Sequence, residues 1–137
     1  MITGLSHVSI AVPSLEAAAA RLKEIYGLAV GEARVNDEQG IRLAYIDLGN
    51  ARIELMEPVR ADSSISKFLE HHPGGGIHHF CLNVDDVVAT AAGVVTKGVR
   101  VLGESGKTRN VHGERIAFLH PKDFYGALVE LEEHPAR

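Results

Sequence analysis

The stretch HVSIAV at residues 7–12 decides the fold, because it returns as HFCLNV at residues 79–84. Both stretches begin with histidine and alternate with a period of two, which is typical of a half-buried β-strand. Two further pairs follow in the same order: GIRLAYI (40–46) with GERIAFL (113–119), and RIELME (52–57) with LVELEE (128–133). The offsets of 72, 73 and about 76 residues indicate one duplicated unit whose loops differ slightly in length.

Each copy predicts a strand, a helix and three more strands. In the first copy Ser14 can cap a helix that ends at Gly27, and in the second Asp85 or Asp86 opens a helix that Gly98 closes. Between the copies, a short amphipathic segment precedes a proline and three glycines. The predicted strands are 7–12, 28–36, 41–48 and 51–57 in the first copy and 77–84, 99–104, 114–119 and 127–132 in the second, with helices at 15–26, 64–71 and 86–97.

These elements predict an α+β fold in which two βαβββ modules in tandem form an open, eight-stranded, barrel-like sheet. A chain of 137 residues fits one domain that buries roughly two-thirds of its unfolded surface without disulfides. We therefore expect a single domain over 1–137, with module 1 at about 3–57, a linker at 58–76 and module 2 at about 77–133.

The composition excludes several classes of function. No apolar run approaches the roughly 20 residues that would span a bilayer. The net charge of −4 comes from mixed signs without a Lys/Arg cluster, so neither a membrane nor a nucleic acid is an expected partner. The single cysteine, Cys81, suits a reducing compartment, and the N-terminus lacks the basic region of a secretory signal. We expect a cytoplasmic protein.

Four polar residues stand at repeated places on otherwise apolar strands. These are His7 and His79, which open the paired first strands, and Glu54 and Glu130, which lie in the paired last strands. If each unit forms half a barrel, the four side chains come from equivalent strands and can converge on the axis. Two imidazoles and two carboxylates suit a divalent ion such as Co²⁺, Mn²⁺, Ni²⁺, Fe²⁺ or Zn²⁺, with one or two positions open for water or substrate.

Other polar residues suggest substrate contacts less directly. His112 and His120 flank the penultimate strand, and either could line a pocket. Lys122, together with Lys107 and Arg109, could meet a phosphorylated ligand, although scattered cations are usually surface charge. The substrate-binding residues are therefore unknown at this point, with His112, His120 and Lys122 as candidates.

Four further residues are expected to serve the fold or to face solvent. His78 points away from His79 by strand alternation, which favours a packing or hydrogen-bonding role. Glu57, Glu132 and Glu133 lie at strand ends among other charges, where carboxylates are usually exposed.

Four stretches of the chain, which together span most of it, resemble the vicinal oxygen chelate superfamily and, within it, the methylmalonyl-CoA epimerases. They are LSHVSIAVPSLEAA, LGNARIELMEP, SSISKFLEHHPGGGIHHFCLNVDD and HGERIAFLHPKDFYGALVELEE, of which the last two are the most specific. Carried over position by position, the family's metal ligands fall on His7, Glu54, His79 and Glu130. In relatives the second ligand can be glutamine, so Glu54 makes the site one charge more negative.

The resemblance implies an isomerase that interconverts (R)- and (S)-methylmalonyl-CoA by removing the α-proton through a metal-stabilised enolate. It implies one divalent ion, with Co²⁺ the first choice and Mn²⁺, Ni²⁺, Zn²⁺, Mg²⁺ or Fe²⁺ as alternatives, an acyl-CoA substrate and a homodimer. Glu130 resembles a catalytic base of the family. Some relatives use a second glutamate on the third strand of the first module, where this chain has Leu43. The second acid/base is therefore unassigned, with Glu54 and a metal-bound water as the first possibilities.

Three other functions of the same superfamily compete. Bacterial glyoxalase I uses a similar ligand set, and only the flanking stretches HPGGGIHHF and HPKD favour the epimerase. Extradiol dioxygenases bind iron through two histidines and one carboxylate, which Glu54 as a fourth ligand disfavours. A metal-free module that binds a small molecule such as an antibiotic would lack some of the four ligands.

Overall fold

A computed structural model describes residues 1–134, which contain three α-helices, one 3₁₀ turn and nine strands. Within these residues no helix is long and apolar enough to cross a membrane. In chain order the elements are β1 (Ile2–Ala11), α1 (Leu15–Tyr26), β2 (Arg34–Asn36), β3 (Ile41–Asp47), β4 (Arg52–Pro58), α2 (Ser64–His71), β5 (Gly76–Val84), α3 (Val87–Val95), β6 (Val101–Leu102), β7 (Thr108–Arg109), β8 (Arg115–Leu119), the 3₁₀ turn (Pro121–Asp123) and β9 (Val129–Glu133).

The chain contacts divide these elements into two compact units. The first, called the N-terminal unit here, is Val8–His78. The second, called the C-terminal unit, joins Met1–His7 to the chain from His79 onward. Strand β1 therefore contributes its first residues to one unit and its last residues to the other.

The N-terminal unit is built on antiparallel strands. β3 pairs with β2 on one side and with β4 on the other, and Val12 N–H at the end of β1 donates to Met56 O of β4 at 2.9 Å. Helix α1 begins where Ser14 accepts a hydrogen bond from Ala17 N–H and ends at Gly27, whose φ of 68° is left-handed. The apolar side of this helix packs on the strands in a core formed by Val12, Leu15, Ala44, Ile46 and Leu55.

The C-terminal unit combines parallel and antiparallel pairing. β9 lies parallel to β5 and antiparallel to β8, and β8 in turn pairs with β6 and β7. Asp86 caps α3 by accepting from Ala89 N–H at 2.9 Å. The core of this unit is Val84, Val87, Ala117, Leu119, Val129 and Leu131.

Some elements differ from the sequence expectation at their bounds. The strand expected at 28–36 forms only over Arg34–Asn36. The preceding residues do not pair regularly with β3 and are joined to it by the hydrogen bond from Gly31 N–H to Tyr45 O at 2.9 Å. The strand expected at 99–104 shrinks to Val101–Leu102, and the short β7 was not expected. The segment predicted as a linker helix forms at Ser64–His71, capped by Ser63.

The duplication is visible in the strand register. Tyr45 of β3 lies opposite Glu54 of β4, and Phe118 of β8 lies opposite Glu130 of β9, so each glutamate faces an aromatic residue of the preceding strand. The two repeated glutamates therefore occupy equivalent places in their own units.

Candidate metal centre

Three of the four expected ligands meet inside the C-terminal unit. His7 lies on β1, His79 on β5 and Glu130 on β9, and each is at most 5% exposed. Glu130 Oε2 is 2.8 Å from His79 Nε2 and 3.4 Å from His7 Nε2, and the two imidazole rings are 5.8 Å apart at 73°. One carboxylate oxygen therefore stands between two imidazole nitrogens from strands that are distant in sequence.

The charge of Glu130 is set by these neighbours. Burial alone would raise the pKa of its carboxyl, but hydrogen bonds from His7 and His79, together with their charges, lower that pKa to about 2. The pKa is thus lower than that of an ordinary glutamate, and Glu130 is ionised throughout the neutral range. A buried negative charge that faces two imidazoles suits a cation as a partner.

Glu54 is held by hydroxyl groups within the N-terminal unit. Its Oε1 accepts from Ser9 Oγ at 2.6 Å and its Oε2 accepts from Tyr45 O–H at 3.0 Å, and the residue is 7% exposed. These two bonds fix the carboxylate of Glu54 in one orientation.

The position of β3 to which the family resemblance assigns a second glutamate is Leu43 in this chain. Leu43 is only 2% exposed and lies opposite Met56 of β4. The position at which some relatives have a second glutamate is therefore part of the packed apolar interior of the N-terminal unit.

Comparison with known proteins identifies the family to which the chain belongs. The family model described as the Glyoxalase/Bleomycin resistance protein/Dioxygenase superfamily matches residues 6–118. The ethylmalonyl-CoA/methylmalonyl-CoA epimerase of Cereibacter sphaeroides is 46% identical over 133 residues, covering 97% of this chain and 99% of the relative. The mitochondrial methylmalonyl-CoA epimerase of Homo sapiens is 45% identical over 129 residues, covering 94% of this chain and 73% of the relative. The chain belongs to the methylmalonyl-CoA epimerase family of this superfamily.

Solved structures of the family agree with this placement. A methylmalonyl-CoA epimerase in complex with methylmalonyl-CoA and an ammonium ion superposes with a TM-score of 0.88 at 39% identity, covering 99% of this chain and 97% of that one. The family resemblance and the fold class, both expected from the sequence, are confirmed.

Buried histidine and glutamate side chains of this epimerase-family chain could hold a divalent metal ion. Imidazole nitrogen and carboxylate oxygen are the ligand types that Co²⁺, Mn²⁺, Ni²⁺, Fe²⁺ and Zn²⁺ share. The convergence of His7, His79 and Glu130 fits such an ion, since each offers a buried atom of the right kind toward one place in the C-terminal unit.

The three candidates for substrate binding lie in different settings. His120 is half-buried, and its Nδ1 accepts Lys122 N–H at 3.1 Å, so this ring caps the 3₁₀ turn. The side chain of Lys122 is exposed, and so is His112, in the turn before β8. Substrate binding by any of the three stays a prediction.

The expectation that Glu57, Glu132 and Glu133 are exposed is wrong. Glu132 is 0% exposed: it lies two residues from Glu130 on the same face of β9, and its carboxylate accepts from Ser6 Oγ and Asn110 Nδ2. Glu133 is half-buried, with Oε2 2.6 Å from Arg115 Nη2, and Glu57 is half-buried and accepts Leu15 N–H at 3.3 Å. Strand alternation from Glu130 was the signal that could have placed Glu132 inside.

His78 was expected to pack or to form a hydrogen bond on the other face from His79. Its ring stands edge-on to Phe68 at 5.1 Å and 76° in the N-terminal unit. This contact agrees with the expected packing role.

Proposed function

We propose that this chain is an isomerase that interconverts (R)- and (S)-methylmalonyl-CoA by moving the α-proton of the acyl group. The observation that carries the proposal is the buried carboxylate of Glu130 between two imidazole nitrogens, in a chain 46% identical over 97% of its length to an ethylmalonyl-CoA/methylmalonyl-CoA epimerase. A solved relative in complex with methylmalonyl-CoA supports an acyl-CoA substrate.

We propose His7, Glu54, His79 and Glu130 as the ligands of one divalent ion, with Co²⁺ the first choice. The contacts among His7, His79 and Glu130 support three of them, and the sequence repeat that pairs Glu54 with Glu130 supports the fourth. When bound, the ion supplies Lewis-acid stabilisation of the negative charge that develops on the substrate's thioester and carboxylate oxygens.

The chain's own residues supply the proton acceptor. The α-carbon of the substrate lies between a thioester carbonyl and a carboxylate, so its proton is acidic enough for a positioned carboxylate to remove. Glu130 is ionised at neutral pH because its pKa is about 2, and it is therefore ready to accept this proton at a carboxylate oxygen. Its burial keeps bulk water from competing for the same oxygen.

Inversion also requires a proton donor on the opposite side of the α-carbon. Leu43 offers no ionisable group, so the second acid/base is unassigned, and Glu54 and a metal-bound water are the first candidates to test. A substitution can remove Glu54 but not a water molecule, so a Glu54 variant tests whether Glu54 is the second acid/base.

The deciding experiment follows exchange of the α-proton of methylmalonyl-CoA in heavy water, read by NMR or mass. Wild-type protein loaded with Co²⁺ is expected to exchange the proton rapidly, and Glu130→Gln is expected to lose a factor of roughly 10² to 10⁴, the usual contribution of a general base. If Glu54 is the second acid/base, Glu54→Gln retains exchange but loses inversion. Ethylmalonyl-CoA is assayed in parallel because the Cereibacter relative is named for both substrates.

A matched control separates loss of chemistry from loss of fold. Glu133→Gln removes the neighbouring carboxylate of β9, which pairs with Arg115 away from the proposed ligands, and it is expected to keep exchange near the wild-type rate. Absence of exchange above background in the wild type would refute the epimerase. Robust turnover of methylglyoxal with glutathione would favour glyoxalase I instead.

We also propose a homodimer, on the strength of the resemblance, and a cytoplasmic location, on the strength of the single free and buried Cys81. Light scattering after size exclusion tests the first, and cell fractionation tests the second. A monomeric mass at micromolar concentration would exclude the dimer, and recovery of the protein outside the cytosol would exclude the location.

A further inference from the structure

Behind the ring of His7, on the side away from Glu130, lies a second group of buried polar side chains. His7 Nδ1 is 2.9 Å from Ser6 Oγ, and Ser6 Oγ is 3.2 Å from Glu132 Oε1. Ser6 is 7% exposed and Glu132 is 0% exposed, so the contacts are shielded from water. All three residues belong to the C-terminal unit.

The direction of the hydrogen bonds follows from the number of protons available. A serine hydroxyl has one proton, and an ionised carboxylate can only accept. If Ser6 donates to Glu132, the remaining contact requires His7 Nδ1–H to donate to Ser6 Oγ. The Nε2 atom of the same ring then faces Glu130 Oε2 at 3.4 Å.

The carboxylate of Glu132 is itself fixed from the other side. Its Oε2 accepts from Asn110 Nδ2 at 2.9 Å, and its Oε1 lies 2.7 Å from His134 Nε2. An amide NH₂ group can only donate, so Asn110 requires that Glu132 accept at this oxygen. Glu132 is thus a buried acceptor whose position does not depend on Ser6 alone.

The imidazole of His7 therefore lies between two carboxylates from the same face of β9. Glu130 faces Nε2 directly, and Glu132 faces Nδ1 through Ser6. With Nδ1–H donated to Ser6, the Nε2 atom of the ring would be the one available to bind a cation. A histidine that ligates a metal commonly donates its other N–H to such a partner, which fixes the ring's tautomer and orientation.

We propose that Ser6 and Glu132 are positioning residues that hold His7 with its proton on Nδ1 and its Nε2 lone pair directed to the proposed metal ion. This inference rests on the proposed function, because it presupposes that His7 binds an ion. Neither residue touches the substrate in this proposal, and both act through His7.

The test measures metal affinity by competition with a chromophoric chelator, using Co²⁺ and Zn²⁺. Ser6→Ala and Glu132→Gln are each expected to weaken binding by about 10-fold to 100-fold, the usual effect of removing such a partner. Because the two residues form one chain of hydrogen bonds, the double variant is expected to bind no more weakly than the worse single variant. Glu133→Gln, the neighbouring carboxylate, is expected to keep the wild-type affinity.

A second measurement addresses the hydrogen bond itself and does not depend on activity. In zinc-loaded wild-type protein, nitrogen-15 NMR is expected to show a downfield, slowly exchanging proton on His7 Nδ1. Ser6→Ala is expected to shift this proton upfield and to speed its exchange, whereas Glu133→Gln leaves it unchanged.

Each result bears on one proposal. Wild-type protein that binds no ion would refute the metal site itself. If the wild type binds the ion, three results would overturn the role of Ser6 and Glu132 while leaving the metal site in place. These are variant affinities within twofold of the wild type, additive losses in the double variant, and zinc bound to His7 Nδ1.

Discussion

Removal of the metal ion is expected to lower the melting temperature of the chain by an amount that can be worked out. Three proposed ligands lie on β1, β5 and β9, and His79 and Glu130 are 51 residues apart in sequence. An unfolded chain does not hold such distant side chains together, so the ion binds the folded state alone. At a free concentration 100 times its Kd, such an ion stabilises the fold by about 2.7 kcal/mol.

The size of the temperature shift follows from the length of the chain. With an entropy of unfolding of about 2.1 cal/mol/K per residue, 1 kcal/mol corresponds to roughly 3.5 °C for a chain of this size. Treatment with a chelator is therefore expected to lower the melting temperature by about 9 °C, and added Co²⁺ is expected to restore it. Differential scanning calorimetry at pH 7, with and without chelator, measures both values.

Two variants make this prediction specific. His79→Ala removes an imidazole within 2.8 Å of Glu130 and is expected to abolish most of the difference between loaded and chelated protein. His71→Ala removes an exposed imidazole at the end of α2 and is expected to preserve it. A chelator shift below about 2 °C in the wild type, or a full shift in His79→Ala, would contradict the reasoning.

Three further changes test other parts of the molecule. Leu131→Ala removes a side chain that is 1% exposed in the C-terminal core, so urea unfolding is expected to show a loss of about 2–5 kcal/mol; a loss below 1 kcal/mol would contradict the packing. Arg100 lowers the pKa of Asp123 to about 2 from its ordinary 3.8 by hydrogen bonding. The contribution of Asp123 to stability is therefore complete above pH 3.8 and lost as the pH falls toward 2. The difference in melting temperature between wild type and Asp123→Asn should shrink over that window, and a constant difference would count against it. Tyr45→Phe removes one hydroxyl bond to Glu54, and a calorimetric titration is expected to show metal affinity reduced by about 10-fold; unchanged affinity would mean that Tyr45 does not position this ligand.

The elements that the sequence predicted well are those whose signals are local. Ser14 and Gly27 delimit α1 because capping and left-handed backbone depend on one residue and its neighbours. The repeat also predicted the equivalent places of Glu54 and Glu130, since a period of two determines which side chains share a face. The convergence of His7, His79 and Glu130 needs more than this rule, because it brings together three strands that are distant in the chain.

What could not be predicted depends on contacts between distant segments. Strand alternation could have placed Glu132 on the face of Glu130, but its contact with Ser6, which is 126 residues away in the chain, is one that the sequence does not show. Residues 28–33 are joined to β3 by the hydrogen bond from Gly31 N–H to Tyr45 O. The sequence of this segment does not show that regular strand pairing fails there. The bond of Ser6 to the ring of the next residue depends on the rotamers of both side chains, which the sequence does not show.

Glu54 and Glu130 occupy equivalent places in the strand register but have different hydrogen-bond partners. This difference favours Glu130 as the proposed base. Both oxygens of Glu54 accept hydroxyl protons, from Ser9 and Tyr45, so a proton taken up there would have to displace one of these bonds. Glu130 Oε2 instead faces two imidazole nitrogens, which are themselves proposed ligands of the ion. If they bound the ion, an oxygen of Glu130 would be able to accept a proton from the substrate. Duplication therefore supplied two similar carboxylates with different hydrogen-bond partners, and this difference supports our proposal that Glu130 is the proton acceptor.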